Sequence, residues 1–326
     1  MSLKSFRLEH ILLVFLASAL CLASCTQQNP DISHSLNKGI GFIEKTQLKT
    51  GEFPIEQCKN YSMQECKKIS SVFSTALISS SLNSLNKIKA ERINKRAVSF
   101  LITEQDNGLW SYYSKRSKER LPPDMDDTAV ASMALEAMNV DSSQNKKILE
   151  ENTDSEGLFL TWFDAEKNNV DCVVNANVIS YLKREYQAPC NYINNAITEG
   201  KERECSVYYP NKVALYYSAS NAYKRGVSCF EPAKYVIIKQ ILEEWEEKED
   251  YNSLELALSI STLINLGYEG SEINEMVGIL ISKQDERGSW EKEVFFTDRI
   301  PRYYGSCSLT TSFALEAISK YDSVFG

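Results

Sequence analysis

The chain has 326 residues, of which 43% are hydrophobic and 25% charged, and its formal net charge is −8 at pH 7. That length suffices for one large or two small domains. Its acidic balance argues against nucleic-acid binding, because phosphate contacts need clustered Lys and Arg. The one local basic stretch, residues 115–120, is short and interrupted by Glu119, so we interpret it as a solvated loop.

The first 25 residues predict export. Lys4 and Arg7 precede an apolar run over residues 11–22, which is shorter than the roughly 20 residues of a membrane-spanning helix but typical of a signal peptide. Leu22-Ala23-Ser24-Cys25 resembles the lipobox of bacterial lipoproteins. The resemblance implies a signal peptide over 1–24, an acylated (palmitate-type) Cys25, a tether over 25–32 and a folded domain over 33–326.

The same resemblance implies a cell-envelope location with the membrane as a partner through the lipid anchor. Thr26 follows the cysteine where Asp would retain a lipoprotein at the inner membrane, so an outer-membrane or periplasmic-facing location is expected in a Gram-negative cell. An ordinary cleaved signal or an uncleaved anchor is the alternative interpretation. The sequence gives no indication of an oligomeric state.

Seven cysteines follow Cys25 in an exported chain, where they can oxidise. Cys58 and Cys66 lie close together in a polar loop and predict one disulfide. Cys205 with Cys229, and Cys172 with Cys190, are plausible further pairs, although spacing leaves their connectivity open. An odd count leaves one thiol free, and Cys307, within an apolar helical pattern, is our choice.

No metal or other cofactor is expected. After residue 24 the chain keeps one histidine, His34, and it contains no C-x-x-C pair, so the usual ligands of a zinc site are missing.

A short unit recurs along the chain. Residues 47–53 and 284–290 share the form Q-x-x-x-G-x-aromatic, residues 105–110 are the same unit shortened by one, and residues 156–159 are a weaker copy. Each follows a helical run such as Ile88 to Thr103. Its glycine predicts a left-handed turn at the helix end, and we expect the aromatic residue to pack against a neighbouring unit.

A second helix, rich in small and aliphatic residues, is predicted after each unit. Six such helices are expected, around residues 74–78, 127–138, 173–178, 208–223, 253–266 and 310–315. They are apolar nearly all round, as an inner ring would be, whereas the first helices, such as 230–246, are amphipathic. No strand-like alternation competes. The predicted fold is all-α, a single (α/α)6 toroid of six helical hairpins.

These repeats, together with Asp124-Met125-Asp126-Asp127-Thr128-Ala129, resemble the α/α-toroid of terpene cyclases and protein prenyltransferases over essentially the whole mature chain. The D-x-D-D form implies a class II cyclase-like site, with Asp126 as the general acid that protonates an alkene or epoxide and Asp124 and Asp127 beside it. Crowded carboxylates cannot all ionise cheaply, so one retains a proton. The prenyltransferase branch needs a zinc-binding histidine, which does not follow Cys307.

Capping is the alternative interpretation of the acidic motif. Asp126 or Asp127 before an apolar helix would satisfy free amides and complement the helix dipole. This explains one or two of the three carboxylates. The chain also lacks the second helical domain that completes the cavity of squalene-type cyclases, which weakens the cyclase interpretation.

Further residues are candidates for the pocket. They are aromatic residues near the predicted turns and two amides in an apolar inner helix, namely Trp110, Asn175, Asn177, Tyr208, Tyr303 and Tyr304. A buried amide must find hydrogen bonds, so Asn175 and Asn177 either face a central cavity or join inner helices to each other.

The sequence therefore predicts an envelope protein that binds a small or isoprenoid-like, hydrophobic ligand in an acidic, aromatic pocket, with acid-initiated cyclisation or isomerisation at Asp126 as the enzymatic form. The alternatives are a non-catalytic binding or scaffold module and a glycan-active enzyme using paired carboxylates or Tyr. A closed aromatic pocket favours a cyclase, an open polar groove favours glycans, and a filled centre favours a scaffold.

The lipobox yields a first prediction. Metabolic labelling with a fatty acid should mark the wild-type protein, and Cys25→Ser should abolish the label because the acylated thiol is removed. An unlabelled wild-type protein would contradict lipidation.

Overall fold

The structure of the protein, a computed structural model, describes residues 31–163, 168–248, 250–298, 300 and 302–326. The signal segment and Cys25 lie outside the described residues. The helices are α1 (Ile32–Thr46), α2 (Val72–Leu82), α3 (Ile88–Glu104), α4 (Met125–Ala137), α5 (Lys146–Glu151), α6 (Cys172–Leu182), α7 (Gln187–Thr198), α8 (Glu202–Cys205), α9 (Lys212–Lys224), α10 (Glu231–Glu247), α11 (Ser253–Asn265), α12 (Glu272–Ser282) and α13 (Cys307–Phe325), with 3₁₀ turns at Ser143–Asn145 and Ser228–Phe230.

Six helices pack side by side in a closed circuit. Helices α2, α4, α6, α9, α11 and α13 contact one another in that order, and α13 contacts α2 again. All residues of α6 are buried, as are all residues of α11 except Glu255. Since these helices are apolar around their whole circumference, only a position enclosed by other helices covers them.

The remaining long helices lie outside this circuit. Helix α10 buries only Ala233, Ile237 and Ile241, which are spaced by four residues and form one apolar stripe. Helices α1, α3, α7 and α12 pack on α13, α2, α6 and α11, respectively. In the described part of the chain, no helix combines the length and the apolar character needed to cross a bilayer.

The sequence repeats connect the helices. In the last repeat, the backbone N–H of Trp290 donates to Thr311 Oγ1 (3.2 Å) and its indole N–H donates to the Leu280 carbonyl (2.6 Å), which joins α12 to α13. Trp110 makes the equivalent bonds to Thr128 and Leu101. These hydrogen bonds join the two helices of one hairpin. In the weaker copy, Phe159 packs on Tyr186 at the start of the next hairpin, as expected for contact with a neighbouring unit.

The glutamine and glycine of each full repeat make the contact between hairpins. Gln284 donates to the Ser35 carbonyl of α1 (3.0 Å), so the last hairpin contacts the first. Gly288 has a φ of +90°, and a Cβ there would lie 2.4 Å from the Lys38 carbonyl oxygen. Only glycine accommodates both the left-handed backbone and this close approach.

A small antiparallel sheet was missed by the sequence analysis. It contains β1 (Ile55–Cys58), β2 (Cys66–Ile69), β3 (Phe296–Thr297) and β4 (Tyr303–Gly305) in the order β2-β1-β4-β3. Strands of two to four residues are too short to show a period-2 pattern. β1 precedes the inner helix of the first hairpin and β4 precedes the inner helix of the last hairpin. Their pairing therefore connects the first and last hairpins next to the N-terminal ends of these two inner helices.

The disulfides confirm one predicted pair and correct the others. Cys58 pairs with Cys66, and Cys307 is free. The pairs Cys205–Cys229 and Cys172–Cys190 are wrong, because the structure joins Cys172 to Cys205 and Cys190 to Cys229. The chain after α8 bonds to the start of α6 through Asp171, which places Cys205 beside Cys172, and α7 lies against the 3₁₀ turn containing Cys229.

These bridges differ in the length of chain they close. The Cys190–Cys229 bridge spans 39 residues and the Cys58–Cys66 bridge spans 8. Since loop-closure entropy grows with length, replacing both cysteines by Ala should lower the free energy of unfolding by about 4 kcal/mol for the first pair and about 2.5 kcal/mol for the second. Denaturant titration of the two double variants checks the order, and a larger loss at Cys58–Cys66 would contradict it.

Candidate active site

A cavity of about 610 Å³ lies where the first turns of α2, α4 and α6 meet the sheet. Its volume falls within the usual range for small-molecule sites. Eight aromatic side chains line it, namely Phe73, Tyr112, Tyr113, Trp162, Tyr208, Tyr209, Phe296 and Tyr304. All three carboxylates of the acidic motif also line it.

Asp124 is the N-cap of α4. Its side chain accepts a hydrogen bond from the Asp127 N–H (2.8 Å), and the helix begins at Met125. The expected cap at Asp126 or Asp127 is therefore wrong, because the N-cap residue lies two or three positions earlier, at Asp124. Ser71 and Asp171 cap α2 and α6 in the same way, so capping accounts for Asp124 and leaves Asp126 and Asp127 without that role.

Asp126 is held between two neighbouring elements. Asn177 of α6 donates to its Oδ1 (2.7 Å), and the Tyr209 hydroxyl donates a short hydrogen bond to its Oδ2. The side chain is 8% exposed, and within the described residues it has no cationic partner. Its carboxyl group is thus fixed by neutral donors at the edge of an apolar cavity.

Asp127 lies beside it and is more deeply buried, at 2% exposure. Its Oδ2 has no hydrogen-bond partner among the described residues. A buried, unpartnered carboxylate oxygen is costly in the ionised form, so the neutral form of Asp127 is favoured.

Burial raises the pKa of all three carboxyl groups. For Asp126, desolvation raises the pKa from 3.8 to about 7, against the opposing hydrogen bonds from Tyr209 and Asn177. Burial raises the pKa of Asp127 well above its usual value, and the neighbouring Asp124 raises it further. Burial likewise raises the pKa of Asp124, to about 6. The motif therefore retains protons near neutral pH.

Asp171 positions the segment that carries Tyr208 and Tyr209. Its Oδ1 caps α6 through the Val173 and Val174 amides, and its Oδ2 accepts from the Val207 and Tyr208 amides at 2.6 and 3.1 Å. The segment that carries Tyr208 and Tyr209 is thereby attached to the start of α6. This contact brings the Tyr209 hydroxyl to Asp126.

The opposite wall is a packed aromatic cluster. Phe296 and Tyr304, which are paired across β3 and β4, stack with ring centroids 4.8 Å apart. Tyr112 packs edge-to-face on both of them, at 5.6 and 5.7 Å, and Phe73 packs on Phe296 at 5.5 Å. Such contacts fix the rings relative to one another.

The other predicted pocket residues divide between this site and other positions. Tyr208 and Tyr304 line the cavity, and Asn177 reaches it through Asp126. Trp110 and Asn175 do not line it, because the Trp110 indole bonds to Leu101 and the Asn175 side chain bonds to both backbone polar groups of Phe159. Tyr303 points away and packs on Tyr61.

Several wall residues escaped the sequence analysis, namely Phe73, Trp162, Phe296 and Asp298. Phe73 occupies the first turn of an inner helix, as Met125-Asp126 does, so an alignment of the six hairpins would have found it. Phe296 and Asp298 lie on or beside the unrecognised strand β3, which left no periodic signal.

The geometry does not indicate a metal site in the cavity. Within the described ranges, the one group of three neighbouring side chains with metal-ligand atoms is Glu56, Cys58 and Cys66. Its two cysteines are joined in a disulfide, and none of the three lines the cavity.

Comparisons with known proteins agree with this fold. The sequence model of a family described as the sesquiterpene cyclase astC-like C-terminal domain matches residues 55–185, which include the acidic motif. No curated protein matches the chain. The structure of the type II terpene cyclase MstE from Scytonema in its apo form superposes with a TM-score of 0.66 at 15% identity, covering 90% of this chain and 99% of that one.

Two further structures are similar. A single-residue variant of the Scytonema cyclase gives a TM-score of 0.69 at 15% identity, over 90% of this chain and 97% of the other. A protein from Actinoplanes gives a TM-score of 0.68 at 14% identity, over 90% of this chain and 100% of the other. The protein therefore has a helical, terpene cyclase-like fold.

Burial of Asp126 has a measurable consequence for stability. Because the folded-state pKa of about 7 exceeds the ordinary 3.8, the folded protein keeps a proton that the unfolded chain releases between these pH values. The free energy of unfolding should therefore fall as pH rises from about 4 to about 7, by about 4 kcal/mol from this group. Asp126→Asn should remove most of that fall, as measured by denaturant titration at several pH values.

Asp285 offers a control of opposite sign. Hydrogen bonds from Ser289 and the Arg287 guanidinium lower its pKa from 3.8 to about 2, so it stabilises the fold above about pH 4 and that contribution is lost as pH falls toward 2. Asp285→Asn should therefore cost stability at neutral pH and little at pH 2. If both variants showed the same pH dependence, the account of Asp126 would be contradicted.

Proposed function

We propose that the protein is an acid-initiated isoprenoid cyclase or isomerase in which Asp126 is the general acid. The observation that carries this proposal is the Asp126 carboxyl group, buried beside an aromatic cavity and hydrogen-bonded by Asn177 and Tyr209 without a cation. A group with these surroundings keeps a proton near neutral pH, as a general acid requires.

The reaction begins when the carboxyl proton of Asp126 adds to one carbon of a ligand C=C bond. The neighbouring carbon becomes a carbocation, and a second C=C bond attacks it and closes a ring. The last cation then loses a proton to water, which restores an alkene, and the Asp126 carboxylate regains a proton from water. The net change is an isomerisation and needs no co-reactant. Asn177 and Tyr209 donate to the carboxylate that remains, so they stabilise the acid's conjugate base.

The aromatic wall would stabilise the cations. Ring faces attract positive charge, and the attraction is stronger where water is excluded. Tyr112, Phe296 and Tyr304 form a packed set of rings on the wall of the same cavity. Burial raises the pKa of Asp126 and Asp127 and keeps these wall carboxyl groups protonated. Glu119 is an ionised carboxylate of the same lining, since hydrogen bonds from Tyr113 and Lys67 lower its pKa.

Asp127 and Asp124 have supporting roles in this proposal. Asp124 fixes the start of α4 as its cap. Asp127 lies beside Asp126, and burial together with the neighbouring Asp124 favours its neutral form, so it brings no second negative charge to this part of the cavity wall.

We further propose that the chain forms one six-hairpin (α/α)6 toroid. Each of the six inner helices is preceded in sequence by an outer helical segment, which before α9 consists of α7 and α8, and the circuit closes through α13 and α2. The Scytonema chain named a type II terpene cyclase is matched over 99% of its length. This supports the view that a second helical domain is not required, contrary to the objection raised from the sequence.

The envelope location remains a proposal based on Leu22-Ala23-Ser24-Cys25 alone. A lipid-anchored protein would meet apolar isoprenoids in or near a membrane. Of the two alternative functions, glycan chemistry is disfavoured because most of the surface that the wall presents to the cavity is apolar. A non-catalytic binding module would use the same cavity without proton transfer.

Deuterium incorporation tests the chemistry directly. Asp126 exchanges its proton with solvent, so a product formed from a linear isoprenoid alcohol in deuterium oxide should carry one deuterium at the carbon that is protonated first. Asp126→Asn should reduce product formation by about 100-fold or more, because general acids contribute about 10²–10⁴ in rate. Product mass and position of label are read by mass spectrometry and NMR.

Asp285→Asn is the matched control, since it replaces a carboxylate that does not line the cavity and should leave turnover unchanged. Unlabelled product, or full turnover by Asp126→Asn, would exclude Asp126 as the acid. Bound but unchanged isoprenoid in both proteins would instead favour the binding module.

A further inference from the structure

The segment between α8 and α9 brings Tyr209 to Asp126. It covers residues 206–211 and forms neither a helix nor a strand. Tyr209 is buried, and its hydroxyl donates a short hydrogen bond to Oδ2 of Asp126. Because helix or strand hydrogen bonds do not fix this backbone, the position of the hydroxyl depends on contacts with neighbouring elements.

The start of α6 holds this segment at two successive residues. Asp171 accepts hydrogen bonds from the backbone amides of Val207 and Tyr208 through its Oδ2. The next residue, Cys172, is the first of α6, and it forms a disulfide with Cys205, the last residue of α8. Both cysteines are buried. The chain is therefore covalently attached to α6 immediately before the segment that carries the tyrosine.

The other donor to Asp126 lies on the same helix. Asn177 of α6 donates to Oδ1 of Asp126 at 2.7 Å. Both hydrogen bonds to the carboxyl group thus depend on α6, Asn177 directly and Tyr209 through the attached segment. A shift of the segment relative to α6 would separate the tyrosine from the acid and leave the amide in place.

Contacts from the sheet side add to this attachment. The Thr297 N–H donates to the Tyr208 carbonyl at 2.8 Å. The Tyr209 ring packs edge-to-face on Phe295, with the ring centroids 5.5 Å apart. Both contacts are non-covalent, and they relate the segment to the sheet and not to α6. The disulfide is therefore the covalent constraint that relates Tyr209 to the helix of Asn177.

We propose that the Cys172–Cys205 disulfide is a positioning element of the acid site, which keeps the Tyr209 hydroxyl on Asp126 while Asn177 holds the other oxygen. The inference rests on the proposed function for the role of Asp126 in catalysis. The Tyr209 hydroxyl stabilises the carboxylate that remains after proton transfer. Loss of the disulfide would displace this donor and make Asp126 a weaker acid.

The second buried disulfide supplies a matched control. Cys190–Cys229 spans 39 residues and Cys172–Cys205 spans 33, so removing either bond should lower stability by a similar amount. Cys190 and Cys229 lie outside residues 205–211, and neither lines the cavity. A purely structural role predicts the same behaviour for the two double variants, Cys172→Ala/Cys205→Ala and Cys190→Ala/Cys229→Ala.

Infrared difference spectroscopy of the full-length variants measures the effect at Asp126, with Asp126→Asn in each background to isolate its carboxyl band. The titration midpoint should rise from about 7 by about one pH unit in Cys172→Ala/Cys205→Ala, because a hydrogen bond to a charged group is worth about tenfold or more. The control should keep the wild-type midpoint. The other titratable groups that act on Asp126 are unchanged in these variants, namely Asp124, Asp127 and Asp171.

Tyr209→Phe shows whether the disulfide acts through the hydroxyl. This substitution should raise the midpoint by a similar amount in the wild type and in the control variant. Added to Cys172→Ala/Cys205→Ala, it should raise the midpoint no further, because the donor has already been displaced. Turnover of the linear isoprenoid alcohol should fall about 10-fold in Cys172→Ala/Cys205→Ala and remain unchanged in the control.

An unchanged or lowered midpoint in Cys172→Ala/Cys205→Ala, an equal rise in the two double variants, or a further full rise on adding Tyr209→Phe would each overturn the inference. If the Ala variant does not unfold cooperatively, Cys172→Val/Cys205→Ala, which refills part of the lost volume, replaces it in every comparison. The predicted midpoints without product from any variant or the wild type would contradict the proposed function and leave the positioning role standing.

Discussion

The structure depends on the burial of the N-terminal ends of its inner helices. These helices are apolar around their circumference, so both their sides and their first turns lie in the interior, where unpaired amides are costly. Side chains at the cap positions supply the acceptors, and Ser71, Asp124 and Asp171 do so around the cavity. Asp124 thereby fixes the first turn of α4 and places Asp126 at the edge of an apolar space.

A carboxyl group placed there can be neutral at little cost or ionised at high cost. Neutral donors such as Asn177 and Tyr209 reduce that cost only partly, and a nearby cation, which would have stabilised the ionised form, is missing from the described surroundings of Asp126. Burial of Asp126 therefore lowers the free energy of unfolding at neutral pH. Strongly raised carboxyl pKa values of this kind cluster at functional sites.

Much of the architecture could be predicted from the sequence because it follows from local patterns. The Gln-Gly-aromatic units and the all-round apolar helices located the inner helices, and the D-x-D-D spacing located the three carboxyl groups that line the cavity. The partners of Asp126 could not be predicted, since Tyr209 reaches it through a loop attached by Asp171, and Asn177 only shares a helix face with it. Phe296 and Asp298 lie at a two-residue strand, which is too short to leave a pattern. Disulfide connectivity likewise depends on which loops meet in space.

The protonation state of Asp126 is the central claim, and infrared difference spectroscopy measures it directly. Wild-type protein and Asp126→Asn are compared across the pH range in which carboxyl groups titrate, and the difference isolates the carboxyl band of Asp126. The account predicts a protonated carboxyl band that persists above pH 5 and disappears with a midpoint near 7, consistent with the pKa of about 7 that burial produces. Complete ionisation of Asp126 by pH 5 would contradict it.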